Sequence, residues 1–191
     1  MKIIAIDVGN SETTIGVGNS EGWKGYRFTT RKTVTPDELL MMFKTIIDDP
    51  LIKEGLIEGA IICSVVPEIT NSVLNATSRF ISKDVLTVGP GIKTGLKVNI
   101  DNPKELGPDR IANSIGGYSK ASSEIIVIDL GTATTFDIVN AKKEYLGGSI
   151  APGIKISLDA LTSKTSSLKS VELERPKNVV GKNTYEAIQS G

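Results

Sequence analysis

The chain has 191 residues, 39% of them hydrophobic and 23% charged, with 22 basic side chains balancing 22 acidic ones. That length and composition suit one large or two small globular units, and a neutral chain with no basic block lacks the electrostatic footprint of a nucleic-acid binder. With no His and a single Cys, a Ser-His-Asp triad, His-ligated zinc, a thiolate cluster and an intrachain disulfide are all excluded.

The first strand is expected over residues 2–8, which leaves no room for a signal peptide before it. Further strands follow at 13–18 and 25–30, making a meander. "TPDELLMMFKTIIDD" reads as a helix with Thr35 as N-cap, Pro36 at the first helical position and Glu38 closing a capping box. Apolar residues at 39, 40, 43, 46 and 47 give it one buried stripe. A strand at 59–65, a helix at 68–81 and a strand at 85–88 come next. Cys63 falls inside the apolar strand and reads as a buried structural thiol. Gly89-Pro90-Gly91 then breaks the chain.

A helix is expected over about 108–119, then strands near 124–130, 134–140 and 144–150. A further helix starts near Pro152 and runs to about Lys164. Residues 165–180 read as loop with a short edge strand, and a last helix opens at Asn183 or Thr184. No apolar run approaches the roughly 20 residues of a membrane helix.

The order βββαβαβ is thus followed by a helix and a second unit that begins as the first did. "IIAIDVGNSETTIGV" at 3–17 and "IIVIDLGTATTFDIV" at 125–139 are nearly the same phrase. Such a repeat marks two related halves. A duplicated α/β half with a phosphate-facing turn in each is the logic of the actin-like fold. The expected halves are 1–118 and 119–191, the second one incomplete at its C-terminal end.

In both copies a strand ends in Asp-x-Gly. Gly9 and Gly131 carry no Cβ, so backbone N–H groups can approach an anion closely. Asn10, Ser11, Thr13, Thr14, Thr132, Thr134 and Thr135 add neutral donors. Asp7 can hold Mg²⁺ or its waters, because Mg²⁺ is best held by one or two carboxylates plus phosphate oxygens. Asp129 is its equivalent. Two opposed turns would clasp a triphosphate between the halves. The alternative is a pair of ordinary polar hairpin turns. There is no Walker A motif: Gly181-Lys182 has Pro176 where the first glycine belongs.

In "NPKELGPDRIANSIGGY", Gly107 caps the helix, Pro108 takes the first position, and Asp109 and Arg110 fall in the first turn. An acid there suits the helix dipole. Arg110 opposes it and needs another reason, such as a bound carboxylate. Without His, any general base is Asp, Glu or Lys, and Asp109 is the best-placed candidate.

"DVGNSETT", "GPDRIAN", "DLGTATTFDIV" and "GGSIAPGI", in order and at matching spacing, resemble type III pantothenate kinase. The resemblance implies an actin-like (ribonuclease H-like) α/β fold of the acetate and sugar kinase/Hsp70/actin superfamily. It implies ATP-dependent phosphorylation of pantothenate, the first step of coenzyme A synthesis, by a cytoplasmic homodimer that uses Mg²⁺ and a monovalent cation, K⁺ or NH₄⁺. By position, Asp7, Val8, Gly9, Asn10, Ser11, Glu12, Thr13 and Thr14 form the first phosphate loop, with Asp7 on Mg²⁺ or its waters. Thr132 touches ATP, and Asp129 holds the monovalent cation. Gly107, Pro108, Asp109 and Arg110 contact pantothenate, with Asp109 accepting its hydroxyl proton and Arg110 meeting its carboxylate. Thr184 contacts pantothenate from the partner subunit. The chain departs from the family at Pro108, usually Ala, and at Ile100, often Tyr. The family also continues to a glycine-rich adenine-binding segment that this sequence does not contain. The rival expectations are a sugar or small-acid kinase of the same fold and a non-catalytic nucleotide-binding regulator or filament.

Overall fold

The computed structural model describes residues 2–47, 57–81, 84–89, 92–164 and 171–191. Its first unit runs β1 (Lys2–Val8), β2 (Glu12–Asn19), β3 (Gly22–Thr29), α1 (Pro36–Ile47), β4 (Ile57–Ser64), α2 (Pro67–Phe80) and β5 (Val85–Thr87). The sheet order is β3-β2-β1-β4-β5. The meander strands are antiparallel, and β1, β4 and β5 are parallel. Parallel neighbours require crossovers, and α1 and α2 provide them.

Alternation along β1 decides where the core lies. Ile4, Ile6 and Val8 point to one face with Ile15, Val17, Ala60 and Ile62, and Leu39, Phe43, Ile46, Ile69, Val73 and Ala76 of α1 and α2 cover them. Each such aliphatic side chain stabilises the fold by about 1.5–3 kcal/mol on full burial. The expected capping box holds α1 at its start. The Thr35 N–H donates to the Glu38 carboxylate at 2.8 Å, and the Glu38 N–H donates to Thr35 Oγ1 at 3.3 Å. The opposite face of β1 and β4 carries Asp7 and Cys63, which sit side by side in register.

The second unit follows a short β6 (Lys97–Val98), a 3₁₀ turn at Pro103–Glu105 and α3 (Pro108–Ala121). It comprises β7 (Ile125–Leu130), β8 (Ala133–Val139), β9 (Glu144–Pro152), α4 (Ile154–Ser163) and α5 (Thr184–Ser190). The order β6-β9-β8-β7 repeats the meander of the first unit. This duplicated meander, completed as βββαβαβ in the first unit, is the actin-like α/β fold. Helix α3 lies between the units and touches β4, β7 and β8.

Several expectations need adjusting. β3 starts at Gly22 because pairing with β2 overrides the poor strand propensity of Gly22 and Gly25. β6 was not expected, and although it precedes residue 118 it extends the second sheet through β9. Residues 171–180 contain no strand, and 165–170 of the expected loop and edge strand lie outside the described residues.

Candidate active site

The two repeated turns close in the same way. The Gly9 N–H donates to the Glu12 carbonyl and the Gly131 N–H to the Ala133 carbonyl, both at 2.9 Å. These two glycine N–H groups are therefore used inside their own turns. The donors left at the tips are Asn10, Ser11 and Thr132, all exposed. Ser11 Oγ and Thr132 Oγ1 stand 2.8 Å apart, so the tips of the two units touch.

Other residues of the first loop brace it. Val8 is fully buried in the core, and its carbonyl accepts from the Val65 N–H. Thr13 is also buried. Thr30 donates its hydroxyl to the Gly9 carbonyl at 2.7 Å, which leaves Thr13 to donate to Thr30 at 2.9 Å. Glu12 pairs with Arg27 at 3.5 Å on the surface. Thr14 faces Asp7 across the β1–β2 ladder.

Asp7 feels the charges of both Asp109 and Asp129. Partial burial is the largest cause that raises the Asp7 pKa above the ordinary carboxylate value; repulsion from Asp109 adds to it, a hydrogen bond from the Cys63 thiol opposes it, and Asp129 adds a smaller repulsion. Burial, with the Asp7 and Asp109 charges, pushes the Cys63 thiol up to about 12. Cys63 thus stays a protonated donor beside Asp7, not a nucleophile.

Helix α3 supplies the rest of the site. Gly107 caps it and Pro108 occupies its first position, as expected. The Asp109 carboxylate folds back over Gly107, where a Cβ would collide with Oδ1. One turn later, Asn113 donates to Asp129 Oδ2 at 2.8 Å. The sequence reading missed Asn113, although its i+4 spacing from Asp109 places both on one helix face. Arg110 finds its reason inside the protein: its Nε and Nη2 bond Asp137 Oδ1 at 2.8 and 2.7 Å. Asp137 was also missed, and its signal is an acid at an inward position of a strand.

The "GGSIAPGI" stretch shapes the floor. The Gly153 N–H donates to the Thr132 carbonyl at 3.1 Å, and a Cβ on Gly153 would strike the Gly131 and Thr132 carbonyls. Only glycine lets the start of α4 sit this close to the second turn. Thr184 is elsewhere. It opens α5 and lines a groove of about 570 Å³ with Leu161, Lys182 and Ala187, a lining that includes none of the three aspartates.

Among the described residues, no three Asp, Glu or Cys side chains form a metal-binding group by themselves. The two turns and the start of α3 offer carboxylates, amides and hydroxyls beside a protonated thiol. That donor set fits Mg²⁺ held by one carboxylate, with phosphate oxygens and water completing its shell.

The family model described as type III pantothenate kinase matches residues 3–191. A protein named type III pantothenate kinase from Syntrophotalea carbinolica is 42% identical over 190 residues, covering 99% of this chain and 74% of that one. The protein of the same name from Geobacillus kaustophilus gives the same figures. Among solved structures, a conserved protein assigned to the Baf family of transcriptional activators from Campylobacter jejuni superposes with a TM-score of 0.56 at 20% identity, covering 98% of this chain and 72% of that one. That last likeness speaks for the fold alone.

Proposed function

The chain belongs to the type III pantothenate kinase family, and on that premise we propose a working site in which the two repeated turns and the start of α3 phosphorylate pantothenate. The reaction transfers the γ-phosphoryl group of ATP to the pantothenate hydroxyl, giving 4'-phosphopantothenate for coenzyme A synthesis. The observation that supports this reading best is the contact between the two turn tips, Ser11 with Thr132, with Asp7 close enough to Asp109 and Asp129 to be raised by both charges.

Phosphoryl transfer asks for alignment and charge neutralisation more than for covalent chemistry. Asn10, Ser11 and Thr132 orient the phosphates without adding charge. Asp7 holds Mg²⁺, directly or through water; when bound, that ion neutralises charge developing on the phosphate oxygens. Asp109 accepts the hydroxyl proton and so orients the attacking oxygen. Gly107 and Pro108 bring the backbone close to the substrate, and Arg110 meets its carboxylate. Asp129 binds a monovalent cation, K⁺ or NH₄⁺, that offsets the third carboxylate near the phosphates. Thr184 reaches the substrate in a homodimer with a shared site, and the setting is cytoplasmic. Among the described residues no helix is long and apolar enough to cross a membrane.

A coupled assay of ADP release tests this reading. It predicts turnover with pantothenate and none with glucose. Turnover of glucose in place of pantothenate would move the chain to a sugar kinase. ATP-dependent sedimentation without turnover would make it a filament.

A further inference from the structure

We propose that Asp137 is the positioning residue of the acceptor site, fixing the Arg110 guanidinium so that its free edge meets the substrate carboxylate. The proposal deepens the reading of Arg110 given above and rests on it.

Asp137 is fully buried on β8, facing α3. A lone buried carboxylate is costly unless it is paired and hydrogen-bonded. This one has every partner it needs. Arg110 Nε and Nη2 reach Oδ1 at 2.8 and 2.7 Å. The Tyr145 hydroxyl donates to the same oxygen at 2.7 Å, and Thr135 Oγ1 donates to Oδ2 at 3.2 Å. Tyr145 is itself 1% exposed and also stands beneath the cation, with the guanidinium carbon 5.8 Å from its ring centre.

A third wall completes the clamp. Asp137 pairs in register with Gly148 of β9. A Cβ on Gly148 would lie 2.7 Å from Arg110 Nη2 and would strike the Phe136 carbonyl. The bare glycine is therefore the floor on which the guanidinium lies. Carboxylate, ring and glycine fix one edge and one face of a planar fork. Nη1 has no hydrogen-bond partner among the described residues. It belongs to a side chain that keeps 16% of its surface exposed, directly after Asp109.

A bare structural pin between α3 and β8 does not need this arrangement. A buried ion pair contributes little net stability relative to apolar packing, yet it fixes orientation. The one charged partner of Arg110 among the described residues sits on its rear edge, so the forward edge keeps a donor for a planar anion. A carboxylate gains a stronger, doubly charge-assisted bond there than a neutral oxygen does. The ligand chemistry selected is an alcohol that also carries a carboxylate.

The test is a kinetic cycle on the whole protein with Asp137→Asn, Tyr145→Phe, Arg110→Gln and the double variant Asp137→Asn/Arg110→Gln. Pantothenate and ATP are varied separately, and the uncharged alcohol analogue of pantothenate serves as a probe. Asp137→Asn should raise the pantothenate KM about 10²-fold by misplacing the fork. Tyr145→Phe should raise it about 10-fold through one lost hydrogen bond to a charged group. The ATP KM should stay within about 2-fold, and the double variant should be no worse than Arg110→Gln alone. Equal losses for ATP and pantothenate, or losses that multiply in the double variant, would overturn the role of Asp137. If Asp137→Asn does not fold, an unchanged pantothenate KM in Tyr145→Phe would overturn it as well. Wild-type enzyme that uses the uncharged analogue as well as pantothenate would overturn the reading of Arg110 instead.

Discussion

Residues 3–8 and 125–130 spell nearly the same strand, and both end in an aspartate-bearing turn. In the first copy Ile4, Ile6 and Val8 are 2%, 2% and 0% exposed, whereas their counterparts Ile126, Ile128 and Leu130 are 64%, 57% and 67% exposed. The neighbours differ too. β1 lies between β2 and β4, while β7 is an edge strand. Asp7 has the Cys63 thiol beside it, and Asp129 has the Asn113 amide. The shared phrase therefore specifies strand, turn and carboxylate. Whatever packs around it specifies the environment of each carboxylate.

The largest effect should come from the carboxylate in the first turn of α3. Asp109→Asn is expected to lower kcat by roughly 10²–10⁴-fold with the ATP KM nearly unchanged. Retention of more than a tenth of wild-type kcat in steady-state assays would contradict its role as base. That would leave the two turns as the whole site.

The packing contrast is the next to probe. Ile6→Ala should cost about 2–5 kcal/mol, while Ile128→Ala should stay within about 0.5 kcal/mol. Chemical denaturation of both variants measures this. Equal losses would mean that the exposed face of β7 is covered in solution.

The smallest effect concerns charge. Because the folded-state pKa of Asp7 is raised, its charged form opposes folding at neutral pH. That opposition fades as pH falls through the raised value and is gone below the unfolded value, where the side chain is protonated in both states. Asp7→Asn should thus melt higher than wild type near pH 7 without divalent metal, and the gap should close toward acid. A lower melting temperature at pH 7 would show that the Cys63 hydrogen bond outweighs burial and repulsion.

Much of this architecture was legible in advance, for reasons visible at particular residues. The repeat, the capping box at Thr35 and Glu38 and the Gly107-Pro108 helix start are local chemistry, and local chemistry is written in neighbouring letters. β6 was not legible, because a two-residue strand exists only through its pairing with β9. Asp137 was hidden for a related reason. Its partners Arg110, Tyr145 and Thr135 come from one helix and two strands, and only the assembled sheet brings them to one carboxylate. Thr13 shows how a fold uses a residue in a way its composition does not announce: strand alternation turns it inward, where its hydroxyl meets that of Thr30. Arg110 showed its anomaly in the sequence while concealing its partner.

That like turns do unlike work is tested most directly by titrating K⁺ and Mg²⁺ separately on Asp7→Ala and Asp129→Ala, with ionic strength held by a large organic cation. Asp129→Ala should lose the K⁺ dependence of turnover while still responding to Mg²⁺, and Asp7→Ala should lose Mg²⁺-dependent turnover. A wild-type K⁺ response in Asp129→Ala would contradict the division of cations between the two turns.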